Sequence, residues 1–301
     1  MAAAVEIRRI PDPNEPVPAI AWPTLGLLVG TLSVLFVSCW LALSGRWPVA
    51  LSIPLNAVCA YLMFTVAHDA THAAASRNPR LNRLVGRIAT PFFAPQASFS
   101  VLRFIHMQHH RFTNHEVGVD PDAYTLAGPL WQRPLRWLSI DLHYLWFYSR
   151  HLPSRPRKEK RELAIQLVVI GALLTWAVVA GFGLDVVLLM VIPQRLAIAW
   201  LAFAFDYLPH HGLHLRPSED RFKTTRNRIG AERLLTPLLL YQNYHLVHHL
   251  HPVVPFYRYL RVWRRYEEAY LDHGPALSTA AGRPLTVDEY REIRRLARHE
   301  H

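Results

Sequence analysis

Long apolar stretches dominate the pattern along this chain, and four of them are long enough to cross a lipid bilayer. They cover residues 19–44, 47–69, 163–181 and 184–208. A helix needs about 20 mainly apolar residues to span the hydrocarbon core, so the pattern predicts four transmembrane helices, which the short connections arrange as two hairpins. A shorter apolar stretch, "IATPFFAPQASFSVL", holds two prolines and is predicted to be a re-entrant or interfacial segment.

Basic residues outnumber acidic ones, with 33 Lys and Arg against 22 Asp and Glu and a formal net charge of +11. Lys and Arg are concentrated in the cytoplasmic loops of membrane proteins. If the N-terminus lies inside, the two outer connections hold one arginine and nearly every other basic residue falls inside. Both termini are therefore predicted to be cytoplasmic. Topology accounts for the positive charge, so no nucleic-acid partner is needed to explain it.

Cysteine usage narrows the possible metal sites. The chain has only Cys39 and Cys59, both inside apolar stretches. A disulfide framework, a four-cysteine iron–sulfur cluster and a thiolate zinc site within this one chain are thereby excluded. Any metal site must be built from other donors.

Histidine is unusually frequent, and eight of the 18 histidines fall into three short motifs. "HDATH", "HMQHH" and "HLVHH" place them three and four residues apart, so that on a helix each motif directs its imidazoles to one face. The motifs contain His68, His72, His106, His109, His110, His245, His248 and His249. All three motifs lie on the cytoplasmic side of the predicted topology. Eight imidazoles are too many for one metal ion, so two ions are predicted, and spacing alone does not choose among zinc, copper, nickel and iron.

A further pair of candidate ligands follows the fourth apolar stretch in "AFDYLPHHGLH". Asp206 and His210 are four residues apart and share a face if the helix continues. His210 is the preferred ninth nitrogen ligand, with His211 as its rival. Asp206 is expected to bind a metal directly, through water, or as a hydrogen-bond acceptor.

The remaining histidines lack the shared spacing and are expected to be solvated or locally hydrogen-bonded. They are His115, His143, His151, His214, His251, His273, His299 and His301. Arg195 interrupts the fourth apolar stretch. Charge inside a membrane span is often functional, but pairing with a carbonyl freed by Pro193 explains Arg195 equally well.

The motifs HxxxH, HxxHH and HxxHH, in this order around paired spans, resemble those of the membrane fatty acid desaturase and hydroxylase superfamily. The resemblance runs from about Ala60 to Tyr259. It implies a di-iron centre held almost entirely by histidine, which activates dioxygen to attack an unactivated C–H bond. It also implies that His210 is a ligand, that Asp206 supports a water there as a catalytic residue, and that Asp69 and Asn243 support the ligands.

Within the superfamily, "FDYLPH", "GVDPDAY" and "QNYHLVHHLHPVVPFYRY" look most similar to bacterial β-carotene ring hydroxylases. The expected function is therefore hydroxylation of a β-carotene ring in the bacterial inner membrane. An acyl-lipid desaturase is the alternative, because it uses the same ligands, and a histidine-rich metal transporter is a distant third. "VGVDPD" departs from the shorter acidic link of these relatives, so the roles of Asp120 and Asp122 stay open.

Turnover of such a centre requires electrons, and the chain has no glycine-rich nucleotide fingerprint or haem-binding signature that would supply them. A separate donor such as a small acidic ferredoxin is expected. Residues 150–161 and 258–265 are basic and are candidate docking surfaces for it, although anchoring to anionic lipid explains them as well.

The predicted fold is all-α: about four transmembrane helices in two hairpins beneath a cytoplasmic, histidine-rich helical cap. Residues 1–18 are predicted to be a flexible lead, residues 19–274 the membrane domain, and residues 275–301 a cytoplasmic tail. In the tail, Thr286 and Glu289 form a capping-box pattern. It predicts a short basic helix that is solvated or lies on lipid.

Overall fold

The computed structural model describes residues 9–299, and the side chains of residues 297–299 are excluded. Residues 1–8 of the predicted lead and residues 300 and 301 at the end of the tail, including His301, lie outside this part. The first seven helices are α1 (Trp22–Leu43), α2 (Val49–Thr71), α3 (Pro79–Ala89), α4 (Phe99–Phe112), α5 (Arg133–His151), α6 (Arg157–Val179) and α7 (Gly183–His210). Five short helices follow: α8 (Glu232–Leu238), α9 (His245–Leu250), α10 (Tyr259–Arg265), α11 (Glu267–Leu271) and α12 (Val287–His299).

Four of these helices, α1, α2, α6 and α7, are long and apolar enough to cross a membrane. Their bounds agree with the four predicted stretches to within six residues at each end, and the prediction of a mainly helical integral membrane protein is confirmed. The second span, α2, is the most buried of the four. It packs against α1 and α7, and its Asn56 amide donates to the carbonyl oxygen of Leu189 in α7 at 2.9 Å.

The segment of the two prolines connects α3 to α4 and packs inside the protein. Its backbone forms a 3₁₀ turn at Thr90–Phe92 and an irregular stretch up to Ser98. Gln194 in α7 donates to the carbonyl oxygen of Phe93 at 2.8 Å, and Gln166 in α6 donates to that of Ala97 at 2.6 Å. These side chains satisfy carbonyl groups that a non-helical backbone leaves without partners.

Helix α5 was not anticipated as a separate element, and it has an apolar outer face. Leu135, Leu138, Leu142 and Trp146 are exposed and repeat at helical spacing along one side. The opposite side buries residues such as Ile140 and packs against α7. A water-facing surface rarely carries so long an apolar stripe, so we expect this face of α5 to contact lipid.

A small sheet lies in the part of the protein that follows α7, residues 211–299, which we call the polar half. The sequence predicted only helices there. The strands of the sheet are β1 (Arg226–Ile229), β2 (Ala276–Thr279) and β3 (Pro284–Leu285), with β1 and β2 parallel and β2 and β3 antiparallel. β2 belongs to the predicted tail, so this pairing holds the tail against the rest of the protein. The tail helix was expected to be solvated or to lie on lipid. The capping box forms as predicted, with Glu289 accepting from the Thr286 backbone at 2.8 Å. The helix that it opens is nevertheless docked, since Tyr290 is buried and accepts from the Trp263 indole at 2.8 Å.

Residues 9–18, the described part of the lead, follow the surface of the polar half. Glu15 is buried there and forms ion pairs with Arg258, Arg261 and Arg265 at 3.1, 2.7 and 3.1 Å. One carboxylate thus pairs with three of the four arginines in the basic segment at residues 258–265.

Candidate metal centre

All nine predicted histidine ligands come together where α2, α4, α7 and α9 meet. His68 and His72 are at the end of α2, and His210 ends α7. The other six occupy one face each of α4 and α9, as the three- and four-residue spacing predicts. Two groups have ligand atoms within 4.8 Å of one another: His68, His72, His106 and His248 in the first, and His109, His210, His245 and His249 in the second.

In the first group, the Nε2 atoms face one another. The Nε2–Nε2 distance is 3.1 Å between His68 and His248, and 2.8 Å between His72 and His106. His110 lies between the groups, with its Nε2 3.1 Å from that of His106 and 2.9 Å from that of His248. Its ring also stacks on His249, at 4.3 Å between centroids.

In the second group, the outer ring nitrogens contact hydrogen-bond acceptors. Nδ1 of His109 lies 3.0 Å from Asp120 Oδ1, and Nδ1 of His245 lies 2.6 Å from Gln242 Oε1. Nδ1 of His210 lies 3.3 Å from the carbonyl oxygen of Thr224. Each acceptor requires the proton to be on Nδ1, so the inner Nε2 presents a lone pair.

A cluster of inward lone pairs fits a metal centre and fits poorly with an imidazole network alone. Several Nε2 atoms lie within 3.3 Å of one another, and neutral His210 and His245, whose protons are on Nδ1, have no proton to donate from Nε2. Nε2 of His210 is buried and has no hydrogen-bond partner among the described residues. Bound cations satisfy these lone pairs, and two cations match the two groups.

Charge at this site is controlled by burial and by two carboxylates. Burial and the neighbouring histidines hold the pKa values of His110, His248 and His249 well below the usual range, which keeps these rings neutral and able to ligate. Burial also lowers the pKa of His109, but Asp122 and Asp120 outweigh it and raise that pKa to about 9.

The acidic link that the sequence left open supports His109. Asp120 Oδ2 accepts the backbone N–H of Asn114 at 2.9 Å, and Asp120 Oδ1 accepts that of Asp122 at 3.0 Å. These bonds fix the carboxylate against Nδ1 of His109, while Asp122 lies 3.4 Å from the same nitrogen. The link therefore orients a candidate ligand.

Asp206 lies beside the histidines in a π-helical turn of α7, Ala202–Tyr207. Its carboxyl hydrogen-bonds to that of Asp122. Tyr144 donates to Asp122 at 2.7 Å, and its hydroxyl is 3.5 Å from Asp206. Asp206 is absent from both histidine groups, so the structure places it next to the cluster, in contact with Asp122.

With this geometry the chain can be compared with known proteins. The family model described as fatty acid desaturase matches residues 44–281, a span that contains every histidine of the two groups. The chain belongs to the fatty acid desaturase family. This confirms the resemblance inferred from the motifs, and it identifies the chain as an oxidoreductase of the membrane.

Relatives of this desaturase-family chain include both carotenoid and fatty acid enzymes. Two β-carotene ketolases of Paracoccus are similar to it. That of strain PC1 is 29% identical over 205 residues, covering 65% of this chain and 71% of the ketolase. That of strain N81106 / MBIC 01143 is 28% identical over 243 residues, covering 74% and 86%. The chloroplastic omega-3 fatty acid desaturase of Brassica napus is 23% identical over 306 residues, covering 90% and 70%. The carotenoid relatives named here are ketolases, whereas the sequence motifs suggested hydroxylases.

A mostly apolar cavity of about 80 Å³ leads to the histidines. Its walls include Phe64, Leu102, Ile105, Ile198, Leu201 and Phe205. One end is formed by His106 of the first group and by His109 and His245 of the second, together with Asp122 and Asp206. A cavity that meets both histidine groups is suited to hold the reacting carbon of a lipid-soluble substrate.

The other end of the cavity explains Arg195. Arg195 and Asp206 are eleven residues apart in α7, about 16 Å at the helical rise. Arg195 forms a two-pronged ion pair with Asp141 of α5, with one N–O distance of 2.9 Å, and donates to the carbonyl oxygen of Leu138 at 3.2 Å. The explanation based on a carbonyl freed by Pro193 is therefore replaced by a charge pair that joins α5 to α7. Gln96 and Asp141 line the cavity at this end.

The predicted supporting residues have other partners in the structure. Asp69 accepts from the Thr24 hydroxyl at 2.7 Å and from the Phe256 N–H at 3.2 Å, so it ties α1 and the polar half to α2. The Asn243 side-chain amide donates to the Thr236 hydroxyl at 3.2 Å, and the backbone carbonyl oxygen of Asn243 accepts from the Arg228 backbone N–H. Within the described part of the chain, the side chains of these two residues do not hydrogen-bond to a histidine.

Several groups that contact the histidines were missed by sequence reasoning. Gln242 is three residues before His245, so its contact with His245 could have been predicted from local helical spacing. The hydroxyl of Tyr259 lies 2.9 Å from Nδ1 of His248, and Thr224 contributes a backbone carbonyl oxygen to His210. Neither residue is close to its histidine in the sequence, so no local motif indicates the contact.

Two other histidines can be compared with their predictions. His211, the rival of His210, is exposed and stacks on Tyr207. His251 was expected to be solvated or locally bonded, but it is buried and bonds to Tyr270 at 2.7 Å.

Proposed function

We propose that this chain is a membrane di-iron oxygenase that oxidises a ring C–H bond of β-carotene. The observation that carries the proposal is the apolar cavity that ends on both histidine groups. The carotene ketolase relatives support the ring substrate. The first product is the ring alcohol, and oxidation of the same carbon a second time followed by loss of water gives the ketone.

The first group and His110 would hold one iron ion, and the second group would hold the other. Two bound iron ions would supply the activation of dioxygen needed to cleave an unactivated C–H bond. The chain's own contribution is to fix the ligands. Asp120, Gln242 and the Thr224 carbonyl hold Nδ1 protons, and thereby direct Nε2 lone pairs inward.

The overall reaction also consumes protons, and the acidic residues are placed to deliver them. The substrate C–H, dioxygen, two electrons and two protons give the alcohol and one water. Burial raises the pKa of Asp122 to about 6, although His109 opposes this shift. A carboxyl that titrates near neutral pH and bonds to Asp206 at the cavity end is suited to hold a proton and pass it on.

The electrons must come from another protein. The name of an Arabidopsis thaliana relative, 23% identical, specifies ferredoxin, and a small acidic ferredoxin is proposed here as well. The basic segment at residues 150–161 is the better docking surface, because Arg150, Arg157, Lys158 and Arg161 are exposed. In the segment at residues 258–265, Glu15 already pairs with three arginines.

Expression with a ferredoxin and its reductase in bacterial cells that accumulate β-carotene tests the proposal. Extracted pigments are separated by chromatography and identified by mass. We expect products one or two oxygens heavier, or the ketone, and none with His245→Ala; His214→Ala, an exposed histidine outside the groups, should behave like the unmodified protein. Unchanged pigments despite a folded, iron-loaded protein would contradict ring oxidation.

An acyl-lipid desaturase is the second candidate. The match to the Brassica napus desaturase covers 90% of this chain, and the same ligand set serves both reactions. The expression experiment separates the two, because desaturation leaves the pigments unchanged and yields acyl chains that are two hydrogens lighter.

A further inference from the structure

Three arginines, Arg133, Arg226 and Arg228, contact the end of α7. Arg226 and Arg228 are two residues apart on β1, so their side chains share a face. Arg226 donates to the carbonyl oxygen of His211, and Arg228 donates to that of Leu208 at 2.8 Å. Arg133, at the start of α5, donates to the Tyr207 hydroxyl at 2.9 Å. All three charges act on the ring of His211, which places them around one point.

This cluster contains positive charge without a counter-ion. Arg226 and Arg228 are each only 7% exposed. None of the three arginines forms an ion pair with a residue in the described range 9–299, and Nε of each lacks a hydrogen-bond partner there. Burial lowers the pKa of Arg228 to about 10, and the charge of Arg226 adds to this effect. Buried charges are normally paired, so an anion from outside the chain would stabilise this arrangement.

The start of α5 adds to the positive potential. Its first turn contains Arg133 and Arg136, no acidic residue and no side-chain cap for the free N–H groups. The N-terminus of a helix is the positive end of its dipole and favours anions. Basic residues at this end are unfavourable unless an anion binds between them.

Capping of α7 by the arginines is the simpler structural explanation, but it accounts for only part of the cluster. Carbonyl oxygens of Leu208 and His211 do accept hydrogen bonds. Each arginine has five N–H groups, and only one bond from Arg226 and two from Arg228 are formed. Carbonyl groups also leave the net charge in place.

The surroundings of the cluster are those of a membrane surface. Leu130 and Trp131, immediately before Arg133, are each 71% exposed. The apolar outer stripe of α5 starts at Leu135, within one turn of Arg133. Tryptophan next to an apolar face is typical of the interface between hydrocarbon and headgroups. This arrangement is the one expected at the depth of lipid phosphates, and His211 and Gly212 beside the arginines are exposed.

We propose that Arg133, Arg226 and Arg228 bind the phosphate of an anionic phospholipid, whose acyl chains lie along the apolar stripe of α5. Basic pockets between membrane helices bind lipid headgroups by the same chemistry. The bound phosphate supplies the missing counter-charge at the end of α7, the helix that carries Asp206 and His210. This site is separate from the cavity and does not depend on the substrate of the enzyme.

Thermal unfolding of the full-length protein in detergent, with added short-chain lipids, tests this site. The probes are dioctanoyl phosphatidylglycerol, dioctanoyl phosphatidylcholine and inorganic phosphate. We expect phosphatidylglycerol to raise Tm more than the other two do. Arg133→Gln and Arg226→Gln should each weaken its apparent affinity by roughly fivefold. Arg295→Gln, which alters an exposed residue paired with Glu292 on α12, should leave that affinity unchanged.

Three results would overturn the proposal. Equal shifts with phosphatidylglycerol and phosphatidylcholine would show that the anionic headgroup is not recognised. An equal shift with inorganic phosphate would indicate a site for free anions. Wild-type affinity for phosphatidylglycerol in Arg133→Gln would show that the arginine cluster does not bind the lipid. If Arg226→Gln fails to fold, the Arg133→Gln variant decides the test, since Arg133 is only half-buried.

Discussion

At the scale of single residues, the outer nitrogen of each imidazole determines what the inner one can do. Asp120, Gln242 and the Thr224 carbonyl oxygen each accept from an Nδ1. These three acceptors are of different kinds: a carboxylate, a side-chain amide oxygen and a backbone carbonyl oxygen. Because each fixes the same tautomer, the second group presents its Nε2 lone pairs without choosing a rotamer or proton position at the moment of metal binding.

Replacing Asp120 with Asn should weaken metal binding in the second group while leaving the first group intact. The amide loses the negative charge beside His109 and can present its N–H₂ to Nδ1, which destabilises the required tautomer. Loss of such a support typically costs about 10- to 100-fold in metal affinity. Titration of the metal-free protein with iron, followed by metal analysis, measures the effect. Asp288→Asn is the control, because the Asp288 side chain is 96% exposed and lies 3.8 Å from Arg291, far along the chain from the clustered histidines. Unchanged affinity in Asp120→Asn would contradict the supporting role.

Stability of the metal-free protein should depend on pH through the clustered histidines. Burial lowers the pKa values of His110, His248 and His249 from 6.5, so the unfolded chain binds more protons than the folded one as pH falls below about 6.5. Their contribution is therefore lost on acidification. His109 acts in the opposite sense: its stabilisation is complete below about 6.5 and is lost as pH rises through about 9. Asp122, whose pKa burial raises to about 6, also favours the folded state as pH falls. The several lowered groups outweigh these two raised groups, so Tm should be lower at about pH 5.5 than at about pH 7.5. An equal or higher Tm at the acidic pH would contradict this balance.

The histidines themselves were predictable from the sequence, whereas most of their supports were not. The spacing of three and four residues fixes which imidazoles share a face, and that is a local property. The contact of His248 with the Tyr259 hydroxyl and the hydrogen bond that His210 donates to the Thr224 carbonyl oxygen depend on how distant segments pack. Asp69 and Asn243 illustrate the same limit, because proximity along the chain to a ligand does not determine which partner a side chain reaches.

At the scale of elements, helix α5 shows why a lipid-facing surface is hard to recognise. Its stripe from Leu135 to Trp146 is exposed, and its buried side includes Asp141, which pairs with Arg195. The usual inference that the apolar face is the buried one is thus inverted for this helix. The helical periodicity of α5 is further obscured by residues 126–132 before it and by Pro129 and Pro134 near its start.

Close approach of α3 and α4 should make Gly86 sensitive to substitution. A Cβ added there would overlap the ring of Phe99. Overpacking of this kind costs about 1–3 kcal/mol, so Gly86→Ala should lower Tm. Gly171→Ala in α6 is the matched control, because nothing lies within 4 Å of its added Cβ and alanine has the better helix propensity. Equal Tm values for the two variants would show that α3 shifts to accommodate the methyl group.

At the scale of the whole molecule, the membrane half supplies the cavity and the polar half closes the metal site. The spans were predictable because length and hydropathy are summed over about 20 residues. The sheet was not, because its strands have two to four residues and β1 pairs with a strand fifty residues further along the chain. The ion pairs of Glu15 with three arginines likewise join segments about 250 residues apart, and no local sequence pattern predicts them.

The central claim is that two groups of histidines hold two iron ions, and iron content tests it most directly. The protein is purified without added chelator and analysed for metal, with Mössbauer spectroscopy of an iron-57 sample to detect coupled iron ions. We expect two iron ions per chain, a loss of about one in His72→Ala of the first group and in His210→Ala of the second, and no loss in His214→Ala. A single iron ion, stoichiometric zinc, or unchanged iron content in both ligand variants would contradict the account.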